Sequence, residues 1–155
     1  MNVREAKTTT LKPFLEAYHP MGAGGSLKGL KIGLAGYAEG DIQPRFVAVF
    51  VYPRSRWKHY NVTLELARLA WSPQAERSAS TFLRKCMRIL KQRNYTGLVV
   101  TYAMPKTPGV VYERAGFHHD GYSSGASWSV RGPKERKTPK TIGDGKKLKR
   151  FFGEI

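Results

Sequence analysis

Residues 62–90 read VTLELARLAWSPQAERSASTFLRKCMRIL, and a change of period inside them decides the fold class. Val62 to Trp71 alternates apolar side chains with Thr63, Glu65 and Arg68, a pattern that suits a strand. Over 77–93 the spacing becomes helical. Phe82, Leu83, Cys86, Ile89 and Leu90 fall on one face, and Arg84, Lys85, Arg88 and Lys91 on the other. Residues 94–97 read as the exit turn, and 98–102 (LVVTY) as a second, short and buried strand. Strand and helix alternate within one stretch, so the chain is α/β.

Working towards the N-terminus, Phe46 opens a β-prone run over 46–52 bounded by Pro44 and Pro53, and Leu30 to Tyr37 forms another strand. Before them, Leu11, Phe14, Leu15 and Tyr18 share one helical face, with Pro13 in the first turn. That helix must stop by His19, because Pro20 disfavours a helical residue before it. A loop containing Gly22, Gly24, Gly25 and Ser26 follows. Working the other way, Pro105 and Pro108 break the chain before residues 109–117, and a final strand is expected over 126–130. Residues 131–155 carry nine basic and three acidic side chains. They read as a basic extension, either a solvated terminus or a segment re-docked through Phe151 and Phe152.

The apolar fraction is 41% and the aromatic fraction 12% over 155 residues, enough for one globular core. Lys and Arg number 27 against 11 acidic residues, a net charge of +16. Such charge repels itself, and a polyanion is the simplest partner to relieve it. Cys86 is the one cysteine, which excludes an internal disulfide and a thiolate cage. The first ten residues carry no apolar run and no stretch is long enough for a membrane helix, so a cytoplasmic protein without a membrane partner is expected.

The element order resembles that of the GNAT-type N-acyltransferases. Val111-Tyr112-Glu113-Arg114-Ala115-Gly116-Phe117 resembles their Y-E-x-x-G-F segment, where a short helix ends in glycine and returns to a strand. Within that superfamily the chain looks most like the phage Mom DNA-modification proteins. The matching pieces are Glu65-Leu66-Ala67-Arg68-Leu69, Ser80-Thr81-Phe82-Leu83, Val100-Thr101-Tyr102 and Gly109-Val110-Val111-Tyr112, and the resemblance covers roughly residues 19–128. It implies a GNAT-like α/β (α+β) fold, a central mixed but mostly antiparallel sheet flanked by helices. Residues 1–130 would be the catalytic domain and 131–155 the extension. The implied activity is attachment of a small carbamoylmethyl, glycinamide-like group to N6 of adenine in DNA, which protects phage DNA from host restriction. Two alternatives stand beside it: a generic GNAT N-acetyltransferase acting on a protein or small amine, and a non-catalytic nucleic-acid-binding module.

Several residues carry the chemistry. A β-bulge between Glu65 and Arg68 would turn both towards one cleft, with Glu65 as general base and Arg68 holding an anionic or carbonyl oxygen; the bland alternative is an ion pair that only fixes the strand. Tyr102 and Tyr112 flank the expected cleft as proton donors or stacking platforms, against the default of ordinary half-buried tyrosines. His19 is placed for acceptor contact or acid–base work, though a surface loop histidine would look the same. Arg77, Ser78, Ser80 and Thr81 stand at a helix start that attracts anions, with simple capping by Ser78 the bland counterpart. The donor is open: acyl-coenzyme A or an aminoacyl-tRNA. Superfamily members that bind coenzyme A carry glycines in a Q/R-x-x-G-x-G/A loop where this chain has Ser78 and Ser80, which crowd a pyrophosphate and disfavour plain acetyl-coenzyme A. Arg54, Arg56, Trp57, Lys58, His59 and Tyr60 combine cations with rings, suited to phosphates and an extruded base. Lys146, Lys147, Lys149 and Arg150 add charge in the extension. His118 and His119 point to opposite faces of a strand, so no metal site is expected.

Overall fold

In the computed structural model the described residues are 1–53, 60–103, 109–123 and 148–155. Seven strands form one sheet in the order β1-β2-β3-β4-β5-β7-β6. In chain order the elements are β1 (Asn2–Glu5), α1 (Thr8–Tyr18), β2 (Leu30–Tyr37), β3 (Phe46–Val51), β4 (Val62–Trp71), α2 (Ala79–Gln92), β5 (Leu98–Ala103), α3 (Val110–Arg114), β6 (His118–Tyr122) and β7 (Lys149–Glu154). Every neighbouring pair is antiparallel except β4 and β5, which are parallel and joined by α2. The mixed, mostly antiparallel sheet expected from sequence is therefore present.

The two faces of the sheet carry different helices. Leu11, Phe14 and Leu15 of α1 pack on Ala35, Tyr37, Val47, Val49 and Ala70. Phe82, Leu83, Cys86 and Leu90 of α2 pack on the opposite face with Leu34, Phe46, Phe50, Leu64 and Leu66. Phe82 stacks on Phe46 with ring centroids 5.0 Å apart. A Cβ at Gly36 would lie 2.7 Å from Phe82, so glycine in β2 is what lets this ring reach the sheet. Helix α2 closes as its sequence requires: Asn94 adopts φ 62° and the Tyr95 amide donates to the Leu90 carbonyl.

Three readings of the sequence change and one falls outside the described residues. A short strand, β1, precedes α1 and was not foreseen from its polar sequence. The helix expected from residue 77 is preceded by a 3-10 helix over Pro73–Ser78, and the α-helix begins at Ala79. The strand expected over 126–130 lies outside the described residues. Lys149–Glu154, within the stretch read as an extension, is instead the strand between β5 and β6, with Phe151 fully buried. The re-docking alternative is thus the one observed, and these last residues belong to the sheet.

Candidate active site

The site begins where β4 and β5 separate. Their pairing runs Val62 with Leu98, Leu64 with Val99 and Glu65 with Val100, and ends there. Beyond that point β4 stays with β3 up to Trp71, while β5 stays with β7 up to Ala103. Parallel neighbours that diverge at their carboxyl ends leave a crevice, a recurrent ligand position in α/β sheets. Thr101 sits at the fork, where its hydroxyl donates to the Leu66 carbonyl of β4 at 3.0 Å. That bond satisfies a backbone acceptor that the missing ladder would leave bare.

A bulge in β4 supplies the second feature. Val49 faces Arg68 and Phe50 faces Leu66, so Ala67 has no partner in β3. Leu64 and Leu66 before the bulge and Leu69 after it all belong to the α2-side core. The extra residue shifts the alternation by one, and Glu65 and Arg68 therefore share the α1-side face, as the sequence argument required. Both are half-buried, not sealed inside.

Arg68 reaches into the loop after α1. Its Nε donates to the Gly22 carbonyl at 3.1 Å and one terminal nitrogen to the Ala67 carbonyl at 2.7 Å. Gly24, at φ +49°, leaves room for the guanidinium: a Cβ there would stand 3.1 Å from Nη2. Burial works against the charge of Arg68, and Glu65 offsets part of that penalty. His19 lies in the same loop. Its Nδ1 accepts the Met21 amide at 3.1 Å, and its carbonyl accepts the Gly22 amide at 2.8 Å. Burial, with the nearby Arg68 charge, lowers the imidazole to about 4. His19 is therefore neutral at pH 7, and with Nδ1 accepting, its proton sits on Nε2. Glu16 steadies the same loop by accepting the Ala23 amide at 3.2 Å.

Tyr112 approaches the fork from the other face. Its ring packs against Phe151 (5.4 Å) and Phe117 (6.1 Å). Although the residue as a whole keeps some exposure, its phenol is desolvated and pushed above the ordinary value, with Thr101 as its hydrogen-bond partner. It holds its proton at neutral pH. Tyr102 points the opposite way, onto the half-open face with Val62, Val100 and Phe152. The two tyrosines thus flank β5 from opposite sides instead of lining one wall.

The anion-binding expectation is altered more. Ser78 makes no side-chain cap bond to α2, so the simple capping reading fails. Gln74, Glu76, Arg77 and Ser78 are exposed, while Ser80 and Thr81 are half-buried in the first turn of α2. Because Pro73–Ser78 is a 3-10 helix, its amides turn inward to carbonyls three residues back. The bare row of N–H groups that cradles a diphosphate is not what this segment presents.

Of the expected nucleic-acid contacts, Arg54, Arg56, Trp57, Lys58, His59, Lys146 and Lys147 lie outside the described residues. Tyr60 is 63% exposed. Lys149 is exposed at the mouth of the fork opposite Ala103, while Arg150 is half-buried, its Nε donating to the Asp120 carbonyl at 2.7 Å. His119 hydrogen-bonds the Gly121 carbonyl, and among the described residues no cluster of metal-binding side chains occurs. Among them, too, no helix is long and apolar enough to cross a membrane. Sequence reading missed Thr101 and Glu16; a hydroxyl in an otherwise buried strand was the available signal for the first.

Comparison with solved structures decides the architecture. A Bacillus subtilis acetyltransferase in complex with CoA superposes with a TM-score of 0.66 at 10% identity, over 99% of this chain and 98% of that one. A ribosomal-protein-alanine N-acetyltransferase from Brucella melitensis gives 0.67 at 13%, over the whole of both chains. The chain has the GNAT fold. A third GNAT-fold neighbour, an arylalkylamine N-acetyltransferase-like protein from mosquito, gives 0.66 at 9% over 99% of each chain. No protein-family model matches the sequence, and no curated protein matches it either. The Mom resemblance thus gains no support from these neighbours.

Proposed function

We propose that the chain is an N-acyltransferase that moves a small acyl-type group from an activated donor, lodged in the fork between β4 and β5, to an amine. The observation that carries this is the placement of opposed proton-handling groups on the two faces of the fork. Glu65 and His19 lie on the α1 side, and Tyr112 with Thr101 on the α2 side. Glu65 takes the proton of the attacking amine as its nitrogen bonds to the acyl carbon. Tyr112, kept protonated by burial, protonates the departing sulfur or oxygen as the old bond breaks. His19 offers its Nε2–H to an acceptor atom of the substrate, and Arg68 positions the loop that carries it.

A coenzyme A thioester, which would supply the activated acyl carbon, would enter where β4 and β5 stop pairing beyond Glu65 and Val100. It fits the Pro73–Ser78 segment poorly, because that backbone is turned into 3-10 bonds. Its phosphates would have to rest on side chains, Arg77, Ser80 and Thr81 among them. An aminoacyl-tRNA donor would avoid this demand. A panel of acyl-coenzyme A thioesters and amine acceptors, read by thiol release, tests the proposal. Transfer that falls at least a hundredfold in Glu65→Gln and in Tyr112→Phe is expected. Full activity in both variants contradicts it.

The acceptor has a narrower reading. With 27 basic residues against 11 acidic, the chain suits an amine carried on a polyanion, and N6 of adenine in DNA is the acceptor that the sequence resemblance implies. Nucleoside mass spectrometry of DNA from expressing cells distinguishes the acceptors. A heavier deoxyadenosine supports adenine; unmodified nucleosides alongside acylation of a protein or small amine favour the generic reading.

A further inference from the structure

Between Glu76 and Glu113 the chain carries no acidic residue, yet it holds Arg77, Arg84, Lys85, Arg88, Lys91, Arg93 and Lys106. Helix α2 occupies the middle of this stretch and turns its apolar side chains inward to the sheet. Along its outer surface from Arg84 to Lys91, the exposed side chains are Arg84, Arg88 and Lys91 alone. They recur at i, i+4 and i+7, so they form one row that rises about 10 Å along the helix. Among the described residues none of the three is ion-paired. The ion pairs there are Arg45–Asp41, Arg93–Glu5 and Arg150–Asp120. Lys85, beside the row, donates to the Met1 carbonyl.

Cations a helical turn apart repel one another, and an uncompensated row costs helix stability at every like-charged i, i+4 pair. A row of anionic groups spaced along a rigid backbone removes that cost. We infer that the outer face of α2 is a docking ridge for the phosphate backbone of duplex DNA. Three features favour this occupant. The row is built on a rigid helix and carries no exposed ring between Arg84 and Lys91, so it offers nothing for the stacking that holds single strands. It has no exposed apolar side chain there to enter a lipid surface. Its exposed groups are purely cationic and lack the hydroxyl and amide side chains that read ribose 2′-hydroxyls in duplex RNA. The contacts are to phosphates, so the ridge binds duplex without regard to sequence. The inference rests on DNA being a partner, and not on which group is transferred.

The test uses the full chain and a fluorescein-labelled 20-base-pair duplex, with anisotropy measured across a salt series. The ridge variant is Arg84→Gln/Arg88→Gln/Lys91→Gln. A charge-matched control, Lys7→Gln/Lys12→Gln/Lys28→Gln, removes three exposed cations elsewhere. Loss of three phosphate contacts lowers the slope of log affinity against log salt by about 2.7 and weakens binding by about tenfold or more. The control should keep the slope of the parent, and the ridge variant should melt no lower than the parent, since it loses a like-charged i, i+4 pair. Equal loss in ridge and control variants means net charge alone acts, and overturns the ridge. An unchanged ridge variant does the same. Preference for duplex RNA, or for vesicles of phosphatidylserine and phosphatidylcholine, overturns the partner. If the parent chain binds no DNA at all, the DNA-acceptor reading falls with the ridge; binding that ignores the ridge leaves that reading standing.

Discussion

The sheet has two arms that are built differently. The arm of β2, β3 and β4 is covered on both faces, by α1 on one and α2 on the other, and Leu34, Val47, Val49, Phe50 and Leu64 have no exposed surface. The arm of β5, β7 and β6 buries Phe151 against Tyr112 and His119 on one face, and on the other a smaller cluster in which Val100 is buried with Val62. Its other face leaves Leu98, Tyr102 and Phe152 half-open. Stability is concentrated in the first arm. The second is held by its strand ladder, by Val99, Ala103, Phe117 and Phe151 at the edge of the α2-side core, and by the small cluster around Val100. The fork lies at the join, where a rigid wall meets a more adaptable one, and that is where a site needing both fixed geometry and room should form.

Phe82 and Phe152 are the sharpest pair with which to test this contrast. Phe82→Ala removes a fully buried ring stacked on Phe46 and should cost about 3–5 kcal/mol in urea unfolding. Phe152→Ala, on the half-open face, should cost roughly 1–2 kcal/mol, because the ring is only partly buried. Equal losses would mean that the arms are not different in kind. At the join itself, Thr101→Val deletes the hydroxyl that holds the Leu66 carbonyl and meets Tyr112. About 1–3 kcal/mol of stability should go with it, since a buried acceptor is left bare. Unchanged stability would show that the fork needs no such tie.

The pH response of His19 should be smaller and has a definite sign. The folded protein holds this imidazole at about 4, below its ordinary 6.5. Between those values the unfolded chain binds the extra proton, so its contribution to stability is present above pH 6.5 and is lost as pH falls towards 4. Protonation also removes the Nδ1 acceptor of the Met21 amide. An NMR titration of His19 should therefore give a midpoint well below 6.5, and Arg68→Gln should raise it by removing a neighbouring charge. A midpoint near 6.5 in the parent would mean that His19 is not desolvated, and an unmoved midpoint in Arg68→Gln would detach it from Arg68.

The first arm was legible because its strands are long apolar runs and α2 has a clean amphipathic stripe. The bulge could be anticipated from Glu65 and Arg68, polar residues at odd spacing in an otherwise alternating strand. β7 was obscured by its surroundings: Lys149, Arg150 and Glu154 share the charge of the preceding residues, and Phe151 gains meaning only from the α3 packing above it. β1 is too short and polar to carry a pattern, and it exists through pairing with β2. Separation of Tyr102 from Tyr112 across β5 depends on tertiary placement, which no local spacing encodes.

The proposed reaction requires the donor to lie in the fork between β4 and β5. An amide NMR titration with acetyl-coenzyme A and a longer acyl-coenzyme A tests it most directly. Saturable shifts gathered at Leu66, Trp71, Thr101 and Tyr102, with β2 and β3 unmoved, are the predicted result. Saturable shifts that avoid both edges of the fork would place the donor elsewhere and contradict the proposed reaction.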